Sequence, residues 1–267
     1  MADPHAQDDR PEHDPAALLA VYWRSAHIHP YGIADVQQLW ADSTWWRRGD
    51  AIVGLLRLGG GPVVYAVADD APDTAAATLE LLGDLAPRLP DAFVITGPTG
   101  RTDVLEDAGY RSRWTDAYDK LHLPAASELP PGPDDLVVLG RPDLTEIRGL
   151  FDTDPDAGDF FHVGLLDTRH YVGRRVGGTL VAVAGVHVLD PVNGVAAIGN
   201  VATHPDHRRQ GHARAAVVGL LHRLRAEVDV IGLNVRHRTD PARALYAALG
   251  FVHAVAYEEA ALERAPA

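Results

Sequence analysis

The residues best placed to do chemistry in this 267-residue chain lie between Val201 and Val217. Arg208, Arg209 and Arg214 crowd around Gly211. An apolar, β-branched run, Val195 to Thr203, leads into them and reads as a strand. His204-Pro205-Asp206 then breaks it, because proline has no amide to give a ladder. After Gly211 the apolar residues Ala213, Val217, Leu220, Leu221, Leu224 and Val228 fall at helical spacing. His222, Arg223 and Arg225 are left for the wetter side of that helix. A helix start offers unpaired amides and a partial positive charge, so this strand, basic turn and helix make a seat for an anion. Gly211 has no Cβ and lets a ligand approach the backbone. The same pattern without a ligand would be an ordinary basic turn.

Two residues downstream add to it. Asn234 ends a predicted strand at 230–235, where its carboxamide can donate and accept hydrogen bonds or simply cap the strand. Tyr246 lies in a predicted helix at 240–249. A phenol, with a reference pKa of about 10, keeps its proton at neutral pH and can serve as a general acid. Its ring could equally be core. Arg243, one turn earlier, could meet a phosphate or only solvent. Fourteen histidines invite a metal reading. His204-x-x-His207 is the closest pair, but no third ligand stands at a recognisable spacing, so no metal is expected.

Arg208-Arg209-Gln210-Gly211-His212-Ala213 resembles the Arg/Gln-x-x-Gly-x-Gly/Ala signature of the GNAT superfamily of N-acyltransferases. The resemblance continues through Asn234 to Ala242-x-x-Leu245-Tyr246-x-x-Leu249-Gly250-Phe251. It covers about half of the chain, roughly Leu136 to Glu259. It implies that the backbone from Arg209 to Arg214, with Arg208, holds the pyrophosphate of acetyl-coenzyme A. It implies also that Val201, Ala202 and Thr203 bind the pantetheine arm as another strand would, helped by Asn234, and that Tyr246 sits beside the coenzyme sulfur. Acetyl-coenzyme A is then the co-substrate.

The general base is less legible. Many relatives carry a Glu on the strand before the turn, whereas Val195-Ala196-Ala197-Ile198-Gly199-Asn200-Val201 has no carboxylate. His187, His204 and a carboxylate between Asp152 and Asp159 are the substitutes. Loss of the proton to bulk water, with catalysis by positioning, is another route.

Composition narrows the class. There is no cysteine, hence no disulfide, thiolate metal site or cysteine nucleophile. No apolar run could span a bilayer, and Met1 to Asp14 lacks the apolar core of a secretory signal, so a cytoplasmic protein is expected. The net charge of −13 argues against nucleic acid as a partner. Residues 1–130 carry ten Lys/Arg against twenty Asp/Glu, so the anion chemistry belongs to the second half.

The order of strands and helices repeats, Gly109-Tyr110 standing where Gly250-Phe251 stands later. A tandem duplication follows, with a decayed first copy: aspartates 69, 70 and 73 occupy the turn that holds arginines and glycine in the second. The expected organisation is a disordered tail 1–14, a degenerate GNAT-like domain 15–123, a Pro-rich linker 124–135, a catalytic domain 136–260 and a tail 261–267. The expected fold is α/β, two GNAT-like halves, each a mixed, mostly antiparallel sheet flanked by helices. The expected reaction is acetyl transfer from acetyl-coenzyme A to an amine of a small molecule or protein by direct attack. A non-catalytic acyl-coenzyme A sensor, a tandem acyltransferase of thiol-cofactor synthesis and a protein-binding module remain open. So does a homodimer.

Overall fold

The computed structural model describes residues 10–266 except 69, 70, 155, 156 and 159. Its contacts divide the chain into two units, Met1–Lys120 with Ala254–Ala267, and Leu121–His253.

Unit 1 opens with α1 (Pro15–Tyr22) and α2 (Pro30–Gln38), each started by a proline whose missing amide costs nothing there. Strands β1 (Ser43–Arg48), β2 (Ala51–Leu58) and β3 (Gly61–Tyr65) follow as an antiparallel meander. α3 (Pro72–Leu85) then crosses to β4 (Ala92–Gly97), which is parallel to β3. α4 (Arg101–Asp107) leads to β5 (Tyr110–Leu123). Leu81, Leu82 and Leu85 of α3 pack on Val53, Val64 and Ile95 of the sheet. Their i, i+1, i+4 spacing explains why this stretch is helical.

The last strand of the chain, β11 (Val252–Arg264), belongs to this unit. It runs antiparallel to β4, from Glu258 opposite Gly97 to Glu263 opposite Ala92, and lies between β4 and β5. Ala260 and Leu262 are buried in the unit 1 core. The boundary expected at residue 260 is therefore corrected, and so is the tail at 261–267: Ala261–Arg264 is strand, held by backbone pairing and by two buried apolar side chains. Residue 267 lies outside the described residues.

Within the expected disordered tail 1–14, residues 10–14 are described and partly held. Residues 1–9 lie outside the described residues, but the Glu12 amide donates to the Trp45 carbonyl at 2.7 Å and Asp14 caps α1 through the Ala16 amide.

Unit 1 also buries the chain's only lysine. The Lys120 Nζ sits 4.6 Å from the Tyr31 ring centre and 5.0 Å from that of Tyr257.

Unit 2 begins with the proline-rich stretch 124–135, which is packed against the unit. The Arg225 guanidinium donates to the carbonyls of Pro124 and Ala125, and a His222 ring nitrogen meets the Pro130 carbonyl at 2.8 Å. β6 (Leu136–Val138), α5 (Leu144–Phe151), β7 (Val172–Val176), β8 (Thr179–Asp190) and β9 (Val195–Thr203) come next. The β7–β8 hairpin turns on Gly177 and Gly178, both at positive φ, as a two-residue turn requires. α6 (His212–Leu224) crosses to β10 (Val230–Arg236), parallel to β9, and α7 (Asp240–Ala248) ends the unit. The strand order is β10-β9-β8-β7-β6, antiparallel except for that one pair. Ala216, Val217, Leu220, Leu221 and Leu224 of α6 are buried in the core with Ile198 and Ile231. The helix stops at Leu224, four residues before the expected 228. Ala226 bonds back to Arg223 and Glu227 to Leu224, the tighter i→i+3 pattern of a helix end, yet Val228 still reaches the core.

Candidate functional site

β9 and β10 pair from Val195 opposite Val230 to Ile198 opposite Leu233, and the pairing ends there. Past this last rung the two strands continue without a mutual ladder, β9 through Thr203 and β10 through Arg236. The cause is local. Gly199 faces Gly185 of β8, and Ala202 faces Val183, so β9 carries one residue more than β8 between these rungs. That bulge includes Asn200, which adopts a left-handed φ of 53°. Its Nδ2 donates to the Tyr171 hydroxyl at 2.6 Å, and that hydroxyl donates to the Val186 carbonyl at 3.0 Å. Bulges bend the strand that holds them, and this one turns Val201, Ala202 and Thr203 away from β10. One side of that segment still pairs with β8, Ala202 to Val183 and Thr203 to Ala182. The side toward β10 is a strand edge. The Thr203 hydroxyl oxygen is buried with no protein partner.

Asn234 is the first β10 residue beyond the last rung. Val201–Thr203 and Asn234 thus both lie beyond the last rung, on the two strands that part there.

The turn after β9 leads to the start of α6. Arg209 is left-handed at φ 59° and Gly211 at φ 80°, and the first bond of the helix runs from the Ala215 amide to the Gly211 carbonyl. The amides of His212, Ala213 and Arg214 come before that bond and have no acceptor within the helix. Nothing lies within 4 Å of where a Cβ on Gly211 would stand. This is an open, positively polarised cradle that fits a pyrophosphate, with Arg209, Gln210 and Arg214 reaching the solvent side.

Arg208 is held rather than free: it donates to the Thr203 carbonyl at 3.3 Å and to Asp154 at 3.2 Å. That pair was not foreseen, because 54 residues separate the partners. Gln210 braces the turn through the Asp206 carbonyl at 3.2 Å. His212 is 8 % exposed, and neither ring nitrogen has a partner. Burial, then Arg174 and His207, pull its pKa below the usual histidine value, so the ring stays neutral under the helix start.

Tyr246 lies on α7 in the unit 2 core, 7 % exposed, its ring edge-on to Phe251 at 5.6 Å. Burial pushes its pKa well above that of a free phenol. The group therefore keeps its proton throughout the physiological range. Core residue and proton donor, the two sequence readings, are compatible at this position. Arg243 is exposed, 4.0 Å from Asp240 on its own helix.

The candidate bases are spread out. His204 starts the turn after β9, its Nδ1 accepting from the Asp206 amide at 3.3 Å. Asp154 is committed to Arg208, Asp152 is exposed, and Asp156 and Asp159 lie outside the described residues. His187 projects from β8 over Gly199. In unit 1, residues 69 and 70 lie outside the described residues, and Asp73 stands in the first turn of α3. Among the described residues no group of three or more His, Asp or Glu could hold a metal ion, and no helix is long and apolar enough to cross a membrane.

Two parallel strands parting ahead of a basic helix start are an arrangement of the GNAT kind. Residues 141–251 match the profile of the Acetyltransferase (GNAT) family. No curated protein sequence matches the chain. Among solved structures it is similar to a protein named as a GNAT-family acetyltransferase from Novosphingobium aromaticivorans, at 23% identity and TM-score 0.57 over 80% of this chain and 89% of that one. A Drosophila protein aligns at 17% identity and TM-score 0.67 over 97% and 98%. A tandem GNAT protein from the clavulanic acid biosynthesis pathway aligns at 14% identity and TM-score 0.50 over 96% and 98%. At such identities the likeness is one of fold: mixed, mostly antiparallel sheet with flanking helices, along nearly the whole chain.

Proposed function

We propose that the protein transfers an acetyl group from acetyl-coenzyme A to an amine of a small-molecule or protein acceptor, by direct attack in unit 2. The observation that carries this reading is the gap beyond Ile198 and Leu233, which ends at the cradle around Gly211. The amides of His212 to Arg214 would hold the pyrophosphate, with Arg209 and Arg214 adding charge. Val201, Ala202 and Thr203 would offer their free edge to the amide-bearing arm, and Asn234 would close it from the other strand. Bound there, acetyl-coenzyme A supplies an activated acyl carbon. Tyr246 would give its proton to the departing sulfur, a role for which its raised pKa keeps it loaded.

The test is turnover of acetyl-coenzyme A against a panel of amines, read as release of thiol. The chain has no cysteine, so every thiol detected is the coenzyme's. Amine-dependent release supports an enzyme. Saturable coenzyme binding without release from any amine would indicate a sensor instead.

A further inference from the structure

We propose that His187 is the general base of this reaction, an inference that rests on the acyl-coenzyme A reading above. It stands on two features of the β8–β9 pair. Val186 faces Ile198 and Val188 faces Ala197, so His187 is the extra residue of a bulge in β8. A bulge takes a side chain out of the regular alternation and re-aims it. Here the imidazole is laid over Gly199 of the next strand, where a Cβ would overlap its Cγ, Cδ2 and Nε2. Gly199 is the first β9 residue past the Ile198–Leu233 rung. The ring therefore lies over the residue at which the gap begins, one before Asn200 and two before Val201.

Two other described candidates stand elsewhere. His204 follows Thr203 at the pyrophosphate end, and Asp154 is bound to Arg208. On its far side the His187 ring meets Phe160 edge-on at 6.4 Å, and Phe160 is 56 % exposed. An acceptor entering past Phe160 would meet an imidazole before it met the strand edge. As the amine nitrogen bonds to the thioester carbon and the carbon–sulfur bond breaks, His187 takes one proton from that nitrogen. Tyr246 gives one to the sulfur. Both groups then exchange with solvent, so the products are the amide and the free thiol, with no net change in the enzyme.

The experiment needs no identified acceptor. The probe is bromoacetyl-coenzyme A, whose bromomethyl carbon occupies the place of the acetyl methyl group. Attack by an imidazole nitrogen forms a carbon–nitrogen bond, expels bromide and releases the ring proton. Peptide mapping of the full-length protein should find the adduct on His187, with saturable kinetics and protection by free coenzyme A. The rate should fall as the pH is lowered and the ring protonates. His187→Gln should bind coenzyme A within about twofold of wild type by calorimetry yet take no label at this position. Gly199→Ala, whose methyl would displace the ring, should label at least tenfold more slowly with the coenzyme still bound. Protected labelling elsewhere with His187 untouched, or no labelling of a protein that binds coenzyme A, would overturn the assignment. Absence of coenzyme binding and protection would instead overturn the acyl-coenzyme A reading beneath it.

Discussion

Ile198 of β9 and Leu233 of β10 form the last rung between the two parallel strands of unit 2. Both are buried in the core beneath α6, so the point of parting is fixed by packing on one side and by the Asn200 bulge on the other. The residues proposed for the coenzyme's pyrophosphate and arm lie past that rung.

Gly211→Glu should abolish coenzyme A binding. A carboxylate would stand in the anion cradle, against the partial positive charge of the helix start. The space is open and only the φ of 80° resists a side chain, at a cost of about 1–2 kcal/mol, so the variant should fold. Calorimetry on the full chain should give one site per wild-type molecule and none in the variant. Residual binding near wild-type affinity would place a site elsewhere, unit 1 included.

Tyr246→Phe should leave coenzyme affinity nearly unchanged and lower turnover by roughly one to three orders of magnitude, the scale of a lost acid–base group. The ring keeps its contact with Phe251, so stability should shift little. Turnover within about twofold of wild type, measured on the same preparation with a working amine, would leave Tyr246 as a core residue only.

Leu262→Ala should destabilise unit 1 by roughly 2–5 kcal/mol, the usual range for emptying a buried leucine site. Leu262 is 1 % exposed and comes from the last strand of the chain, yet it packs with Phe93 and Leu89 region residues of unit 1. Hydrogen exchange should show the amides of β4 losing protection before those of β9. Equal loss in both units would mean that β11 does not serve unit 1 in particular.

The pH dependence of stability should carry the mark of Lys120 and Asp35. Burial lowers the Lys120 pKa to about 8, with Glu259 and Asp35 opposing that fall. Burial raises the Asp35 pKa to about 7, with Lys120 opposing. Between the ordinary carboxylate value and about 7 the folded state holds the extra proton, so the Asp35 contribution falls as pH rises. Between about 8 and the ordinary lysine value the unfolded state holds it, so the Lys120 contribution grows. Thermal melts from pH 5 to 10 should therefore show a minimum near neutrality from this pair. Lys120→Met should remove the rise above pH 8, and no other lysine can mask the change. A rise that persists in that variant would count against the assignment.

Much of unit 2 could be read from local chemistry. The break at Pro205, the glycine at the helix start and the 3.6-residue spacing from Val217 to Leu224 are properties of neighbouring residues. They suffice to define the strand–turn–helix and hence the anion seat. Tyr246 and Asn234 were legible as polar residues at fixed places on a predicted helix and strand. The last strand, Val252–Arg264, was legible only in part, since 261–267 was expected as a tail.

Which sheet that strand would join was not legible. Backbone ladders carry no sequence label, and choosing β4 as its partner depends on contacts more than 150 residues away, such as Arg101 Nη1 to Glu258 at 2.5 Å. The same holds at the site. Sequence alone offered His187, His204 and the acidic run on equal terms. Only the extra residue in β8, set by its register against β9, aims the His187 ring over Gly199. Only the fold brings Asp154 to Arg208 and takes part of the turn's charge away from a ligand. The sequence determined the elements and the chemical character of the turn, since these follow from residue type and short-range spacing. The tertiary structure decided which strands pair, where the pairing stops and which side chains face the gap, because those depend on register between segments far apart in the chain.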